Sequence, residues 1–477
     1  MSENTNLKLE NDTEGIRIEK DSLGEQRVPV NAWYGAQTQR AKQNFDITGV
    51  PISHFPELIR ALAMVKAAAA RANHRLGLLS NEKADAIQAA CSQLLRGEHH
   101  DAFIVDLIQG GAGTSTNMNA NEVIANLGLA RLGFDKGDYQ HLHPNNDVNR
   151  SQSTNDVYPT ASRLAIVEAA QGLKLAVKEL QHSLAAKGAE FADVLKMGRT
   201  QMQDAVPMTL GQEFDAFAYN LGEEEARINA ACALLCEVNL GGTAIGTGIN
   251  APAGYGEIAV TELADISGLP VSQAGNLMEA SYDMGAFVTF SSTLKRLAVK
   301  LSKLSNDLRL LSSGPRTGFN EIDLPAMQPG SSIMPGKVNP VIPEAMTQTA
   351  FQVIGTDTTI TLAAEAGQLQ LNAMEPLIIY NLLNNCRILS KSIRMLDQLC
   401  IRGIAANREQ CDRHVQQSIG IVTALVPHIG YDNASRIAGK ALLTGKGVAE
   451  LVQEEQLLSD DQLAEILSPQ NMVRQQG

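Results

Sequence analysis

Aromatic residues make up only 4% of the 477-residue chain, with one tryptophan, Trp33. Alanine and leucine are plentiful instead, which favours helices over sheets. No run of about eighteen apolar residues occurs, although 44% of the chain is hydrophobic, so no transmembrane helix is expected. The opening Met1-Ser-Glu-Asn-Thr-Asn6 lacks the basic-then-apolar pattern of a secretory leader, and residues 1–15 read as a polar, disordered segment. A net charge of −13 argues against nucleic acid as the main partner. The six cysteines (Cys91, Cys232, Cys236, Cys386, Cys400, Cys411) form no Cys-x-x-Cys pair and read as reduced thiols of a cytoplasmic protein. Cys232 and Cys236 would share a helix face, but no histidine is near them in sequence, which disfavours a metal role.

What is present centres on Gln328-Pro-Gly-Ser-Ser-Ile-Met-Pro-Gly-Lys-Val-Asn339 and the following Pro340. Glycines and prolines make it a mobile loop with fixed kinks. Asn339 before Pro340 reads as an N-cap and a first-turn proline, so a helix should start there. Ser331, Ser332, Lys337 and Asn339 then stand beside free backbone N–H groups and a helix start, which suits an anion. A phosphate-binding P-loop is excluded: Gly330 and Gly336 are one residue too far apart, and Val338 follows the lysine. A plain surface turn is the competing reading.

Three other hydroxyl and amide clusters resemble it in composition. Gly110-Gly-Ala-Gly-Thr-Ser-Thr-Asn-Met-Asn119 leads into a helix, with Thr114 or Ser115 as ligand-binding group or as simple N-cap. Ser151-Gln-Ser-Thr-Asn-Asp156 offers Ser153, Thr154 and Asn155 before a helix that Pro159 should open. Gly198-Arg-Thr-Gln201 offers Thr200 and Gln201, with Pro207 expected to open another helix. His143 precedes a proline and reads as a structural turn residue more readily than as an anion ligand. The glycine-rich run Gly241 to Asn250 has no preceding strand pattern and is rejected as a dinucleotide fingerprint.

Periodicity supplies the scaffold. Leu58, Leu62, Val65 and Ala69 predict a helix over 57–73, and 81–95 repeats the pattern. Short strands or irregular structure are expected over 16–45. Ile166, Leu173, Val177, Leu180 and Leu184 predict a long helix over about 160–184. Leu294, Leu297, Leu301, Leu304, Leu308 and Leu311 form a heptad seam, the kind that buries against other helices, often those of another subunit. The expected organisation is mainly α in three domains: a mixed, mostly helical one over 1–148, a long-helix bundle over 149–400, and a small helical one over 401–477.

The clusters hold hydroxyls, amides and one cation, without a carboxylate pair, a metal-ligand set or a Ser-His-Asp pattern. That composition suits a small polyanion: hydroxyls and N–H groups bind carboxylates and Lys337 neutralises one. A proton on the carbon beside a carboxylate then suggests β-elimination. Aimed donors would stabilise the enediolate, with Ser331 the hydroxyl best placed as base.

Gly330-Ser-Ser-Ile-Met-Pro-Gly-Lys-Val-Asn-Pro340 resembles the signature loop of the aspartase/fumarase superfamily, and the likeness runs from about Ile16 to Met472. It implies Ser331 as catalytic base. It assigns Ser332, Thr114, Ser153 and Thr154 to the carboxylate beside the carbon losing its proton, and Lys337, Asn339 and Thr200 to the other carboxylate. It implies a homotetramer whose chains each give five long helices to a twenty-helix core, with each active site built from three subunits. The substrate would be a small dicarboxylate, with no organic cofactor; activation by a divalent metal is left open. Gln201 and Thr154 stand where class II fumarases usually carry His and Ser, so the ammonia-eliminating branch, acting on L-aspartate, is favoured over the hydratase. Ammonia leaves as a neutral molecule, needing only acceptors such as Gln201, Asn155 and Thr114 around the ammonium, whereas hydroxide needs a proton donor. Fumarate hydration, elimination from N-substituted aspartates and a non-catalytic helical oligomer are the alternatives. Glu344 is read as a supporting residue without the histidine it would pair with, and His143, Asn145 and Asn146 resemble a second anion segment of fumarases.

Overall fold

The structure is a computed structural model that describes residues 15–473, so of the segment 1–15 expected to be disordered all but Gly15 lies outside the described residues. In chain order the elements are β1 (Ile16–Asp21), β2 (Gly24–Pro29), α1 (Ala36–Asn44), α2 (Pro56–Arg75), α3 (Asn81–Leu95), α4 (Thr114–Leu132) and α5 (Thr154–Glu190). Then come β3 (Leu195–Thr200), β4 (Gln203–Thr209), α6 (Leu210–Leu234), β5 (Glu237–Val238), α7 (Tyr255–Ser267), β6 (Ser272–Gln273), α8 (Gly285–Leu311) and β7 (Ile322–Asp323). The described residues end with α9 (Val341–Glu365), α10 (Glu375–Leu399), β8 (Ala405–Ala406), α11 (Arg408–Gln417), α12 (Val422–Ile429), α13 (Tyr431–Thr444), α14 (Val448–Glu454), α15 (Asp460–Ile466) and α16 (Pro469–Met472). The fold is mainly α, and the strands among the described residues form only two-stranded pairs. Five helices stand out by length: α5 with 37 residues, α8 with 27, and α6, α9 and α10 with 25 each.

The chain divides into two compact units. The first comprises residues up to Gly172, Arg227–Leu294 and Gly355–Arg387; the second comprises Leu173–Ala226, Lys295–Ile354 and Ile388 onward. In the first, α2 packs on α3 and α7, and α3 on α4. Pro56 opens α2, where its missing N–H costs nothing, and alanines at 61, 63, 67–70 and 72 let the neighbouring helices approach closely. Between β2 and α2 the irregular structure expected over 16–45 gives way to α1. Its first turn rests on a buried carboxylate, Glu122 of α4, which accepts from the N–H groups of Gly35 (2.8 Å), Gln37 (2.8 Å) and Thr38 (3.1 Å), a pairing 84 to 87 residues apart that no local pattern signals.

The leucine seam is real: its six leucines, Leu294, Leu297, Leu301, Leu304, Leu308 and Leu311, are buried within α8, as are Ile166, Leu173, Val177, Leu180 and Leu184 within α5. Two helix starts differ from expectation. Pro159 lies inside α5, which begins five residues earlier at Thr154. Pro207 lies in β4 opposite Met197, and α6 starts at Leu210 because Thr209 and Gln212 cap it reciprocally: Gln212 N–H donates to Thr209 Oγ1 (3.1 Å) and Thr209 N–H to Gln212 Oε1 (3.0 Å).

In the second unit, β3 and β4 form a hairpin whose two loop residues, Gln201 and Met202, both take left-handed backbone (φ 54° and 64°). Two-residue hairpins with this twist normally use Asn-Gly; a Gln-Met pair there is strained. Met197 of β3 joins the apolar core of α11–α15, with Val415, Leu425, Ile437 and Leu451.

Candidate functional site

The first unit carries Thr114, Ser153, Thr154 and Asn155 at the starts of α4 and α5. Three consecutive residues before α4, Gly111, Ala112 and Gly113, take positive φ (89°, 52°, 90°). Gly113 is the N-cap, so the expected capping by Thr114 or Ser115 does not occur. Any Cβ at Gly113 would collide with the Tyr158 ring of α5, so glycine is needed for both its conformation and the close approach. One turn into α4, Asn117 donates from Nδ2 to Thr154 Oγ1 (3.0 Å), tying the two helix starts together.

Hydrogen-bond direction sorts these groups. Thr114 spends its hydroxyl proton on the Gly111 carbonyl (2.7 Å), leaving lone pairs to accept. Ser153 and Thr154 do the reverse: they accept from Asn155 N–H (3.2 Å) and Asn117, leaving their protons to donate. Asn155 gives its Nδ2–H to the Ala244 carbonyl (2.7 Å), which turns its Oδ1 outward as an acceptor.

Beneath this cluster lie charged residues that sequence reasoning missed. Lys66 of α2 is fully buried, and burial lowers its pKa to about 7 against the raising effect of the Asp156 carboxylate. Asp156 is fully buried as well, and burial pushes its pKa up to about 6. Its Oδ1 accepts from Ser153 N–H (2.9 Å), and its Oδ2 accepts from Gly241 and Thr243 N–H (3.0 Å each). The glycine-rich run therefore serves an internal carboxylate, in keeping with its rejection as a nucleotide fingerprint.

The second unit carries the loop. Gly330 N–H donates to the Lys337 carbonyl (2.8 Å), closing the loop at its neck, and a Cβ at Gly330 would strike that carbonyl. Asn339 does not cap α9. Its Nδ2 donates to the Gly330 carbonyl (2.7 Å), a second tie across the neck, and Glu344 N–H bonds the Pro340 carbonyl instead. Ser331 Oγ accepts two backbone N–H groups, from Ile333 and Met334 (3.1 Å each). Ser332 and Lys337 are exposed. Lys337, Asn339 and Glu344 line a cavity of about 1040 Å³ with Arg309 and Asn320.

Thr200 and Gln201 lie exposed at the hairpin tip of the same unit. Arg199, next to Thr200, donates to the buried carboxylate Glu321 (2.7 Å), which also pairs with Lys196 (2.9 Å) and His414 (3.0 Å). Burial alone would raise the Glu321 pKa; the Arg199 hydrogen bond and the Lys196 charge together hold it below the ordinary value. His143 caps its own turn: its Nδ1 accepts from Asn145 and Asn146 N–H (3.0 and 3.2 Å), the structural role expected for it.

A family model described as "Lyase" matches residues 24–355, and one described as "Fumarase C C-terminus" matches 421–474. The chain belongs to the lyase family. Relatives of this lyase include aspartate ammonia-lyases of Pseudomonas aeruginosa (62% identical; 96% of this chain and 97% of the relative covered), Escherichia coli K12 (53%; 96% and 96%) and Helicobacter pylori (52%; 96% and 98%). Among solved structures, the Brucella melitensis "fumarate lyase:delta crystallin" bound to cobalt matches with a TM-score of 0.94 at 56% identity, covering 97% of this chain and all of that one. The class II fumarase of Schistosoma mansoni matches at 0.91 and 37%, with the same coverage.

The lyase thus presents two polar assemblies. One offers donors (Ser153, Thr154) beside acceptors (Thr114, Asn155) over the buried Lys66 amine; the other offers a cation, an amide and a hydroxyl whose oxygen faces two N–H groups. Lys66 and Asp156 left a faint sequence signal: a lysine inside an unbroken alanine-rich helix, and an aspartate directly after three hydrogen-bonding residues.

Proposed function

We infer that this chain is an aspartate ammonia-lyase, converting L-aspartate reversibly to fumarate and ammonia without an organic cofactor. Relatives of that name at 52–62% identity over 96% of the chain support the reading. The observation that carries the mechanism is the pair of N–H groups on Ser331 Oγ. Hydrogen bonds to the charged form lower a pKa, so these donors stabilise the alkoxide that a serine base requires.

In the proposed reaction Ser331 Oγ takes the proton from the carbon next to one carboxylate, and the electron pair moves into that carboxylate as an enediolate. Collapse of the enediolate forms the carbon–carbon double bond and breaks the carbon–nitrogen bond; ammonia leaves with that electron pair. Ser331 then returns its proton to solvent. Ser332, Ser153 and Thr154 donate to the carboxylate that takes the charge, while Lys337, Asn339 and Thr200 hold the other. Thr114 belongs with the acceptors Asn155 and Gln201 around the ammonium, because its proton is already committed to Gly111. Donors placed where charge develops supply most of the rate, and closure of the loop 330–339 would strengthen them by excluding water.

The same reading includes a homotetramer with each site built from three subunits. Phe351 and Leu362 on α9, 62% and 64% exposed, suit burial against further copies. Six buried cysteine thiols suit a reducing cytoplasm. The test follows fumarate by its ultraviolet absorbance with L-aspartate or L-malate as sole substrate. A rise with aspartate alone, matched by released ammonia, is expected; a rise with malate alone would overturn the reading in favour of a hydratase.

A further inference from the structure

Lys66 is one of the largest fully buried side chains of the described chain, and a lysine in such a place needs a reason. Burying an ammonium is costly unless it is paired and hydrogen-bonded. Replacing it by an apolar residue of similar length would remove that cost. Its surroundings are specific. Nζ donates to Asn149 Oδ1 (2.8 Å) and to Gln152 Oε1 (2.9 Å). Asp156 and the Cys91 thiol are the titratable groups that act on it, but the hydrogen bonds to Asp156 described above all come from backbone N–H groups.

Asn149 Oδ1 is where the network converges. Besides Lys66 it accepts from Asn117 Nδ2 (3.2 Å) and Asn121 Nδ2 (3.2 Å). Asn117 Nδ2 points on to Thr154 Oγ1 (3.0 Å). A hydroxyl that accepts from Asn117 must turn its own proton elsewhere. The path from Lys66 through Asn149 and Asn117 therefore ends in a Thr154 proton available to the site, with a buried positive charge behind it whenever Lys66 holds its proton. In a low-dielectric interior such a charge acts at longer range than in water.

We propose that Lys66 is a positioning residue for the elimination: through Asn149 and Asn117 it orients the Thr154 hydroxyl as a donor, and in its ammonium form it favours the enediolate over the substrate. This rests on the aspartate ammonia-lyase reading. Stabilisation of this kind grows as negative charge builds on the carboxylate, so it appears mainly in kcat.

The experiment compares wild type, Lys66→Met, Asn117→Ala, Thr154→Val and the double variant Lys66→Met/Thr154→Val. It measures kcat and KM for aspartate. It also measures inhibition constants for two probes: succinate, a ground-state dicarboxylate, and the nitronate of 2-amino-3-nitropropionate, which carries the charge of the enediolate. Lys66→Met is expected to lose kcat and nitronate affinity by roughly tenfold or more, with succinate affinity nearly unchanged. The double variant should be little worse than Thr154→Val alone, because the two residues act along one path. Equal losses for nitronate and succinate, or fully additive losses in the double variant, would overturn the proposal. Should Lys66→Met fail to fold, Asn117→Ala cuts the same path with Lys66 in place and must show the same selective nitronate loss. A wild type that turns over aspartate alongside an unaffected Asn117→Ala sinks this proposal alone; a wild type inert to aspartate sinks the functional reading.

Discussion

Asn239 donates its Nδ2–H to the main-chain carbonyl of Asn155 at 2.9 Å. Asn155 is four residues before Pro159, so its carbonyl is the acceptor that proline leaves without an intrahelical donor. A side chain from a sequence-distant segment thus supplies the bond that α5 lacks, at the turn that carries Ser153, Thr154 and Asn155. Asn239→Ala is expected to cost about 1–3 kcal/mol, the penalty of leaving a partly buried carbonyl unpaired. Adding Pro159→Ala, which restores the backbone donor, should recover part of it. Denaturant unfolding of both variants checks this; no recovery in the double variant counts against the account.

Ser331→Ala should reduce turnover by roughly 10² to 10⁴-fold, the scale of general-base catalysis, while circular dichroism and oligomeric state stay as in wild type. Its Oγ bonds lie within an exposed loop, so little folding energy is at stake. A near-normal rate would remove Ser331 as the base.

Gln201→His should not by itself make an efficient hydratase. The left-handed backbone at Gln201 and Met202 fixes the tip whatever side chain it carries, and Asn155 still presents its carbonyl oxygen. Steady-state assays with L-malate check this. Substantial malate dehydration by the variant would show that this single position sets the leaving group.

Glu375, the first residue of α10, is fully buried, and burial pushes its pKa up to about 8 despite the nearby Arg163 charge. Between about pH 4.5 and pH 8 the folded protein holds a proton that the unfolded chain has lost, so this group's contribution to stability falls as pH rises. Glu375→Gln imitates the protonated form. Its Tm should match wild type near pH 4.5 and exceed it by a growing margin up to pH 8. Thermal unfolding across that range decides, and a margin independent of pH would refute the assignment.

Much of the scaffold was legible because helices announce themselves locally. The leucines of α8 fall on its buried face at the expected positions, and α3 starts and ends where its pattern does. Pro207 and Asn339 misled for a physical reason. A proline before a periodic run can occupy the last residues of an edge strand as well as a first turn, and an asparagine before a proline can tie a loop neck instead of a helix end. The four polar clusters stood out by composition, but their donor and acceptor directions did not, since these depend on partners such as Gly111 and Ala244 that only the folded chain supplies. Lys66, Asn149 and Asn117 meet across more than eighty residues of sequence, beyond the reach of any periodic pattern.

The turn at Gly241 to Thr243 gathers its N–H groups around Asp156 as comparable turns gather theirs around a phosphate. Its guest is covalently part of the chain, so it arrives at a fixed stoichiometry and never dissociates. Folding itself is the loading step. The α5 start that bears the hydroxyls is thereby held to the glycine loop by a permanently occupied anion receptor, independent of any solute concentration.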